Sequence, residues 1–511
     1  MSTRCVVNVD LVDVWREPGR KKLIRTLAWG DEVAVTEQTS TRVAVETVRF
    51  VEQPDGSILP EHETGFIEPS KSSGLKAADV VRPISQNDVL KVNFVDVQQG
   101  DGSVIESPDG KVILVDGGDN QLFARYLAGR FRGTTANSPQ EVDCILVTHG
   151  DADHFDGLPE ILKSETHAEH RKRLFIKPRR YYHNGIVKRP GSKNGKRVPD
   201  KELLGATSEV DNRTYLTGLE DNLLTVPDGE LNEPFTKWRD ALKEYDTRSP
   251  VEIRRLQFGD DDAFAFFNQG DLRIEVLGPL VTQVGGKPAL PFLGNPPKGP
   301  RIGQESLNVD TTPFKGHSAS HTINGHSVVF RLVYGGFSYL FTGDLNDEAG
   351  RFLTREHNAG RVNLRSDVFK VPHHGSHEFS GALFEAVAPV VSIISSGDES
   401  AQKEYIHPRA TLVGALGKWS RVPEPLIFVT ELVAFFNVEG WSKLASPKTK
   451  AQKERGDFFG FSRTAFGIVK TRTNGKRLFV YTDSGNTAMK EAYAYELDSS
   501  GFPQPAEVRR G

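Results

Sequence analysis

Apolar residues in this chain gather in short, β-branched runs, and several of these runs end in an aspartate or a histidine. Val142, Ile145, Leu146 and Val147 form one such run, which predicts a buried strand. It stops at Thr148, and His149, Asp151, Asp153 and His154 follow within six residues. Gly157 then opens a segment with Pro159 in its first turn and Ile161 and Leu162 behind it, which predicts a helix. The two imidazoles and two carboxylates therefore sit on a strand-to-helix loop, at the end of a sheet where α/β folds bind ligands. The same design recurs three times. Val112, Ile113, Leu114 and Val115 run into Asp116, Gly117 and Gly118. Tyr339, Leu340 and Phe341 lead to Thr342, Gly343 and Asp344, and Val368, Phe369 and Val371 lead to His373 and His374.

Carboxylate oxygens mixed with imidazole nitrogens suit divalent ions such as zinc, manganese or iron. Asp151, Asp153 and Asp156 would repel one another in a loop without a cation. The competing reading is a solvated acidic loop with two incidental histidines. Distant strand tips that offer the same ligand types argue against it.

The first 82 residues read as a separate unit. Short β-rich runs at 5–9, 23–27, 32–36 and 43–50 are divided by turns at Glu17-Pro18-Gly19 and Gly30-Asp31, which predicts a small all-β barrel. Ser70 to Gly74 reads as a linker. A main domain is expected over 88–485, interrupted by an insertion at about 165–310, with a C-terminal extension at 486–511. Within the insertion, residues 171–201 hold twelve Lys and Arg against the single acid Asp200, so a local positive field is expected. Tyr181, Tyr182 and His183 interleave with those charges. Lys188 and Arg189 are expected to steer a phosphodiester while the aromatic rings stack on bases. A solvated basic insertion with ordinary glycine turns is the alternative. Residues 236–245 predict a helix, 272–279 a strand returning to the core, and 291–303 a proline/glycine-rich surface loop. Beyond residue 425, strand-like runs separated by a charged break at 448–455 are expected to complete the second half of the main sheet structure.

Composition narrows the function classes. A chain of 511 residues exceeds one domain. A net charge of −4 means that any nucleic-acid affinity must come from local patches. Two cysteines, Cys5 and Cys144, are too few for a disulfide framework and fit a reducing cytosol. No apolar run is long enough to span a membrane and the start lacks a signal-peptide core, so the expectation is a cytoplasmic protein without membrane attachment.

The constellation resembles the metallo-β-lactamase superfamily, in particular the hydrolase domain of ComEC-type competence proteins and their stand-alone relatives. The opening segment of that family appears as Asp96, Val97, Gln98, Gln99, Gly100, Asp101 and Gly102, and its DGG turn as Asp116, Gly117 and Gly118. Its HxDxDH motif is His149, Asp151, Asp153 and His154. Asn324 and Ser327 resemble its Asn-x-x-Ser strand start, and Asp344 and His373-His374-Gly375-Ser376 complete the set. Ser396-Gly397 and Tyr405-Ile406-His407-Pro408 resemble its closing elements, and the match runs over about residues 90–485. At the N-terminus, Arg16-Glu17-Pro18, Trp29-Gly30-Asp31 and Thr64-Gly65-Phe66-Ile67 resemble bacterial SH3-like domains.

The resemblance implies an α/β protein: an αββα metallo-β-lactamase sandwich preceded by a small all-β SH3-like barrel. It implies two divalent ions, zinc or manganese, that activate a water for hydrolysis. One would be held by His149 and Asp151, the other by Asp153, His154 and one of His373 or His374, with Asp344 between them. Asp116 would orient a ligand histidine from behind. Asp153 is expected to be essential for turnover. Asn324, with His326 second and His321 as a further choice, would stand where many superfamily members place another histidine. His407 would stabilise developing negative charge, and Ser376 would contact substrate. The leading function is a metal-dependent phosphodiesterase or nuclease acting on nucleic acid. The alternatives are hydrolysis of a small ester, lactone or thioester, and a partner-binding module that uses the SH3-like domain beside a vestigial metal site.

Overall fold

In the strands Leu90–Val95, Gly102–Glu106, Val112–Asp116 and Phe337–Phe341 every residue is buried. Strands covered on both faces need a packed layer on each side. The computed structural model, which describes residues 2–52, 58–295, 315–397, 407–433, 435–442, 458–465, 467–483 and 490–511, shows how those layers are supplied. Tyr405, Ile406, the charged break at 448–455 and the 296–303 portion of the proline/glycine-rich loop lie outside these residues.

Two sheets pack face to face. The first has ten strands in the order Glu252–Arg255, Arg180–His183, Cys144–Leu146, Val112–Asp116, Gly102–Glu106, Leu90–Val95, Ile468–Thr473, Arg477–Thr482, Ala492–Leu497 and Pro503–Ala506. The second has six: Leu272–Gly278, Val329–Tyr334, Phe337–Phe341, Val368–Lys370, Val391–Ile394 and Leu426–Val429. Phe94, Ile113, Val115 and Leu146 of the first meet Ile274, Phe330, Tyr339 and Phe341 of the second in one continuous apolar core. Phe341 stacks on Phe330 at 4.5 Å and on Phe94 at 5.7 Å between ring centroids, within the range of favourable aromatic pairs.

Helices cover both outer faces. Leu122–Arg130, Pro159–Ser164 and Glu233–Arg248 pack on the first sheet against Leu114, Ile145 and Tyr181. Asp347–Asn358, Gly381–Val387 and Ala410–Trp419 pack on the second against Leu340 and Phe369. The result is α-β-β-α. Helix Glu233–Arg248 shows the local logic. The Asn232 side chain accepts from the Phe235 amide, Pro234 occupies the first turn, and Phe235, Trp238, Leu242 and Tyr245 form one buried stripe.

Strands Val112–Asp116, Cys144–Leu146, Arg180–His183 and Glu252–Arg255 run parallel, as do Phe337–Phe341, Val368–Lys370, Val391–Ile394 and Leu426–Val429. Parallel neighbours bring their C-terminal tips to one end. Asp116, His149, Asp344 and His374 are brought together there.

Two expectations about chain organisation are corrected. Residues 165–310 are not simply inserted. Arg180–His183 and Glu252–Arg255 belong to the first sheet, Leu272–Gly278 to the second, and Glu233–Arg248 is a covering helix. Among the described residues, Thr207–Val210, Arg213–Leu216, Thr282–Val284 and Lys287–Pro291 form a separate four-stranded sheet, and Ser192–Lys193 pairs with Lys196–Arg197 in a two-stranded one. At the C-terminus, four strands extend the first sheet and, among the described residues, only Leu426–Val429 joins the second. The segment 486–511 is therefore part of the sandwich, because Tyr495 faces the same inter-sheet core as Leu478 and Val480.

Residues 3–83 form a seven-stranded antiparallel sheet around Val7, Val14, Val43, Val45 and Ile67. Leu11–Glu17 and Ile58–Ile67 were not expected as strands. The polar run Glu61, His62, Glu63 and Thr64 has no apolar alternation, and it is a strand because it pairs with Val43–Glu52 along its length.

Candidate metal centre

Three imidazoles converge where the parallel strands end, and each is turned the same way. Asp116 closes Val112–Asp116, and its carboxylate accepts from the Thr148 amide and hydroxyl, both at 2.8 Å. Its Oδ2 also lies 2.9 Å from His154 Nδ1, so that nitrogen is the donor and Nε2 faces the centre. The Thr148 hydroxyl has already given its proton to Asp116. With that proton committed, it accepts from His149 Nδ1 at 3.1 Å, which again leaves Nε2 inward. His374 Nδ1 lies 3.1 Å from the Ser395 carbonyl, an acceptor, and leaves Nε2 inward as well.

The inward atoms meet carboxylates. His154 Nε2 is 3.1 Å from Asp344 Oδ1, His374 Nε2 is 3.3 Å from Asp344 Oδ2 and 3.4 Å from Asp153 Oδ2, and His149 Nε2 is 3.9 Å from Asp344 Oδ2. All three Nε2 atoms and Asp344 Oδ1 are buried without hydrogen-bond geometry to any partner. Buried polar atoms are seldom left this way, because each costs about 1–3 kcal/mol. The donor set suits a divalent cation: two groupings, His149–His154–Asp344 and Asp153–His154–His374, each bring their ligand atoms within 4.8 Å of one another.

Burial alone pushes His149 well below the usual imidazole range, and His154 beside it adds to this. Burial also opposes charge on His154 and His374. Asp344 leads the carboxylates that outweigh it, so both lie well above that range. Asp344 lies well below the ordinary carboxylate range: burial works against it, and His374 and His154 prevail. A divalent cation would compete with protons for these nitrogens and carboxylates.

The remaining predicted residues fall into two groups. His373 is at the rim, with Nε2 3.9 Å from Asp344 Oδ2 and its ring 6.1 Å from that of His407. Burial, then His373 and His374, push His407 down to about 4. Asp151 is not in either grouping. It pairs with Lys188 and, with the Asn324 amide nitrogen turned towards it, accepts at 2.8 Å from Asn324. Asn324 sits on helix Ala319–Gly325.

Six expectations are corrected. Tyr181 and Tyr182 are buried in the two cores. Tyr181 packs edge-on against Trp238, and the Tyr182 hydroxyl donates to the Ala263 carbonyl at 2.9 Å, so neither offers a face to a base. His183 is buried, stacked on Tyr181 at 5.0 Å, and its Nδ1 accepts from the Gly185 amide. Ser376 is buried with its hydroxyl accepting from the Glu378 amide, a turn role. His326 turns away from the centre, its Nε2 2.7 Å from the Pro291 carbonyl. Arg189 is held by Glu220 at 2.6 Å. Tyr181, Tyr182 and His183 are buried in succession, on both faces of the strand, and that burial and the nearby carboxylates lie outside the local sequence pattern. His321 lies between Glu378 and Glu348, at 3.6 and 3.9 Å.

Gln99, Gly100 and Asp101 were named in the opening segment without a role, and Lys370 was missed. Gln99 Nε2 donates to Asp153 Oδ2 at 2.9 Å. Gly100, with φ +105°, presses so closely on the Asp153 loop that a Cβ would stand 1.7 Å from the Asp153 carbonyl oxygen, so only glycine fits. Asp101 and Lys370 lie behind His374. A lysine inside the apolar strand Val368–Lys370 was the available signal.

Residues 95–232 match the profile of the Metallo-beta-lactamase superfamily, a stretch that includes His149, Asp151, Asp153 and His154. With the two packed sheets, this identifies a metallo-β-lactamase-fold domain. The chain is also similar to Competence protein ComA of Neisseria gonorrhoeae, 40% identical over 86 residues, and to ComE operon protein 3 of Bacillus subtilis (strain 168), 33% identical over 98 residues. These stretches are 17% and 19% of this chain and 12% of each relative, so the chain spans about an eighth of the length of the curated proteins it matches. Among the described residues, no helix is long and apolar enough to cross a membrane.

Proposed function

We propose that this protein is a metal-dependent hydrolase of phosphodiesters, with nucleic acid as the substrate class. The observation that carries the reading is the convergence of three partnerless Nε2 atoms on Asp344 and Asp153. Bound divalent ions, zinc or manganese, would supply Lewis-acid activation of a phosphoryl group and of water. His149, His154, His374, Asp153 and Asp344 would hold them, with Asp151 and His373 at the rim. His407, whose ring lies 6.1 Å from that of His373, would donate to negative charge that develops on substrate. Asp116 keeps His154 turned inward. The competence proteins named above support a nucleic-acid substrate.

A small ester, lactone or thioester is the second reading. The observation favouring it is the loss of the aromatic platform, since Tyr181 and Tyr182 are core residues. The N-terminal sheet, read as an SH3-like domain, would dock a protein partner. A purely binding role fits the site poorly, because an unused metal site tends to lose a histidine or aspartate, and here His149, His154, His374, Asp153 and Asp344 still converge.

The deciding experiment assays chelator-treated full-length protein, with and without added zinc or manganese, on DNA, RNA, a chromogenic phosphodiester and a lactone. Metal-dependent cleavage of polynucleotide supports the reading. Turnover confined to the lactone moves it to the second, and chelator-insensitive turnover removes the metal reading.

A further inference from the structure

His154 is backed by a carboxylate, Asp116, that faces its Nδ1. His374 has a less obvious counterpart. Its Nδ1 lies 3.1 Å from the Ser395 carbonyl and 3.4 Å from Asp101 Oδ1. Asp101 Oδ1 is buried without a hydrogen-bond partner, while Oδ2 accepts from Lys370 Nζ at 2.6 Å. Lys370 Nζ also donates to the Val371 carbonyl at 3.1 Å. The two side chains are 3% and 6% exposed, so the ion pair is nearly dry.

Stability is a weak reason for such a pair. Two charges lose their hydration, and an apolar pair of similar volume is commonly as stable. Its placement is more informative. Lys370 ends strand Val368–Lys370 of the six-stranded sheet, and Asp101 immediately precedes Gly102–Glu106 of the ten-stranded sheet. The pair therefore ties the two sheets together behind the centre. The Ser395 hydroxyl adds a second tie, donating to the Gly100 carbonyl at 2.8 Å. Asp101 also lies in one grouping with Asp116 and His154, so the carboxylates behind the two histidines are neighbours. Lys370 offsets the repulsion that would otherwise separate them.

We propose that Asp101 and Lys370 form a positioning pair that fixes the rotation and tautomer of His374 and thereby sets metal affinity at the Asp153–His154–His374 grouping. The inference rests on the metal-hydrolase reading and deepens it. Asp101 faces the Nδ1 side of the ring at 3.4 Å, beside the Ser395 carbonyl, and Lys370 holds Asp101 in place. Neither residue touches substrate.

The test titrates full-length, chelator-treated protein with Co²⁺ against a chromophoric chelator and records the visible spectrum of the bound ion. The variant is the double substitution Asp101→Asn with Lys370→Met, which removes both charges with little change in volume. It is expected to melt like the chelator-treated parent, to bind Co²⁺ about 10- to 100-fold more weakly, and to show an altered ligand-field spectrum. Lys370→Arg, which keeps the cation, should restore most of the affinity lost in Lys370→Met. Asp101→Glu keeps the charge pair but displaces the carboxylate, and should change the spectrum even if the double variant does not fold. Parental affinity and spectrum in the double variant, or a parental spectrum in Asp101→Glu, overturn the positioning role. Absence of Co²⁺ binding by the parent protein overturns the hydrolase reading itself and this inference with it.

Discussion

The metal centre and the junction between the N-terminal sheet and the C-terminal tail are both dense in buried charge, and they treat it in opposite ways. At the junction, Arg477 donates to both oxygens of Asp10 at 2.5 and 3.2 Å, and also to Glu496 and the Glu507 carbonyl at 2.6 Å each. The Arg509 amide donates to Asp10 at 2.7 Å, and the Gly511 amide donates to the Leu11 carbonyl at 2.9 Å. The guanidinium and carboxylate there are saturated. At the centre, by contrast, His149, His154, His374 and Asp344 keep buried atoms with no hydrogen bond. A saturated network holds chain segments together, whereas an unsaturated one is organised for something the protein must bind.

The largest expected effect tests the unsaturated side. Asp344→Ala should abolish turnover and the binding of a second divalent ion, measured by elemental analysis. Asp153→Asn should also eliminate turnover while leaving the melting curve of the chelator-treated protein nearly unchanged, because its volume is the same. Retained activity in either variant would break the comparison.

On the saturated side, Asp10→Ala leaves the buried Arg477 cation without its main partner. The expected loss is about 3–5 kcal/mol of stability in denaturant titrations, with turnover per folded molecule unchanged. A larger effect on turnover than on stability would mean that the junction serves the site.

His407→Ala should reduce turnover by about 10²-fold with metal content retained, as befits a group acting on substrate charge. Metal loss as complete as in His149→Ala would make His407 a ligand. Tyr182→Phe removes one buried hydrogen bond and should cost about 1 kcal/mol with nucleic-acid affinity untouched. Weakened nucleic-acid binding would restore Tyr182 to the substrate path.

The smallest effect concerns pH. Asp483 is held at about 2: burial raises it, and Lys470 and Lys490 lower it further. Because its folded pKa is below the ordinary 3.8, its contribution to stability is present above that value and fades as pH falls through about 2. Asp483→Asn should flatten that part of the stability profile in urea midpoints measured between those two pH values, with its loss of stability fully present near neutrality and vanishing as pH falls below about 2.

What the amino-acid order determined was the set of strand tips and their chemistry. Apolar β-branched runs at 112–115 and 142–147 can only be buried strands, and an aspartate or histidine at the end of each is legible because a ligand must follow its strand directly. Helix Glu233–Arg248, predicted over 236–245, and the returning strand Leu272–Gly278 were legible for the same local reason. The tertiary structure decided which of His373 and His374 faces the centre, since both follow the same strand and it is the Ser395 carbonyl, 21 residues away, and Asp101 that meet the His374 Nδ1. It decided that Tyr181 and Tyr182 are core and not platform, because Trp238 and Ala263 come from distant elements. It also joined Asp101 to Lys370 across 269 residues, and placed strands from 468 to 506 beside Leu90–Val95. Periodicity reports only which face of an element is apolar. Which partner meets that face is settled by long-range packing, and the carboxylates, histidines and lysine of this site acquire their roles from that packing.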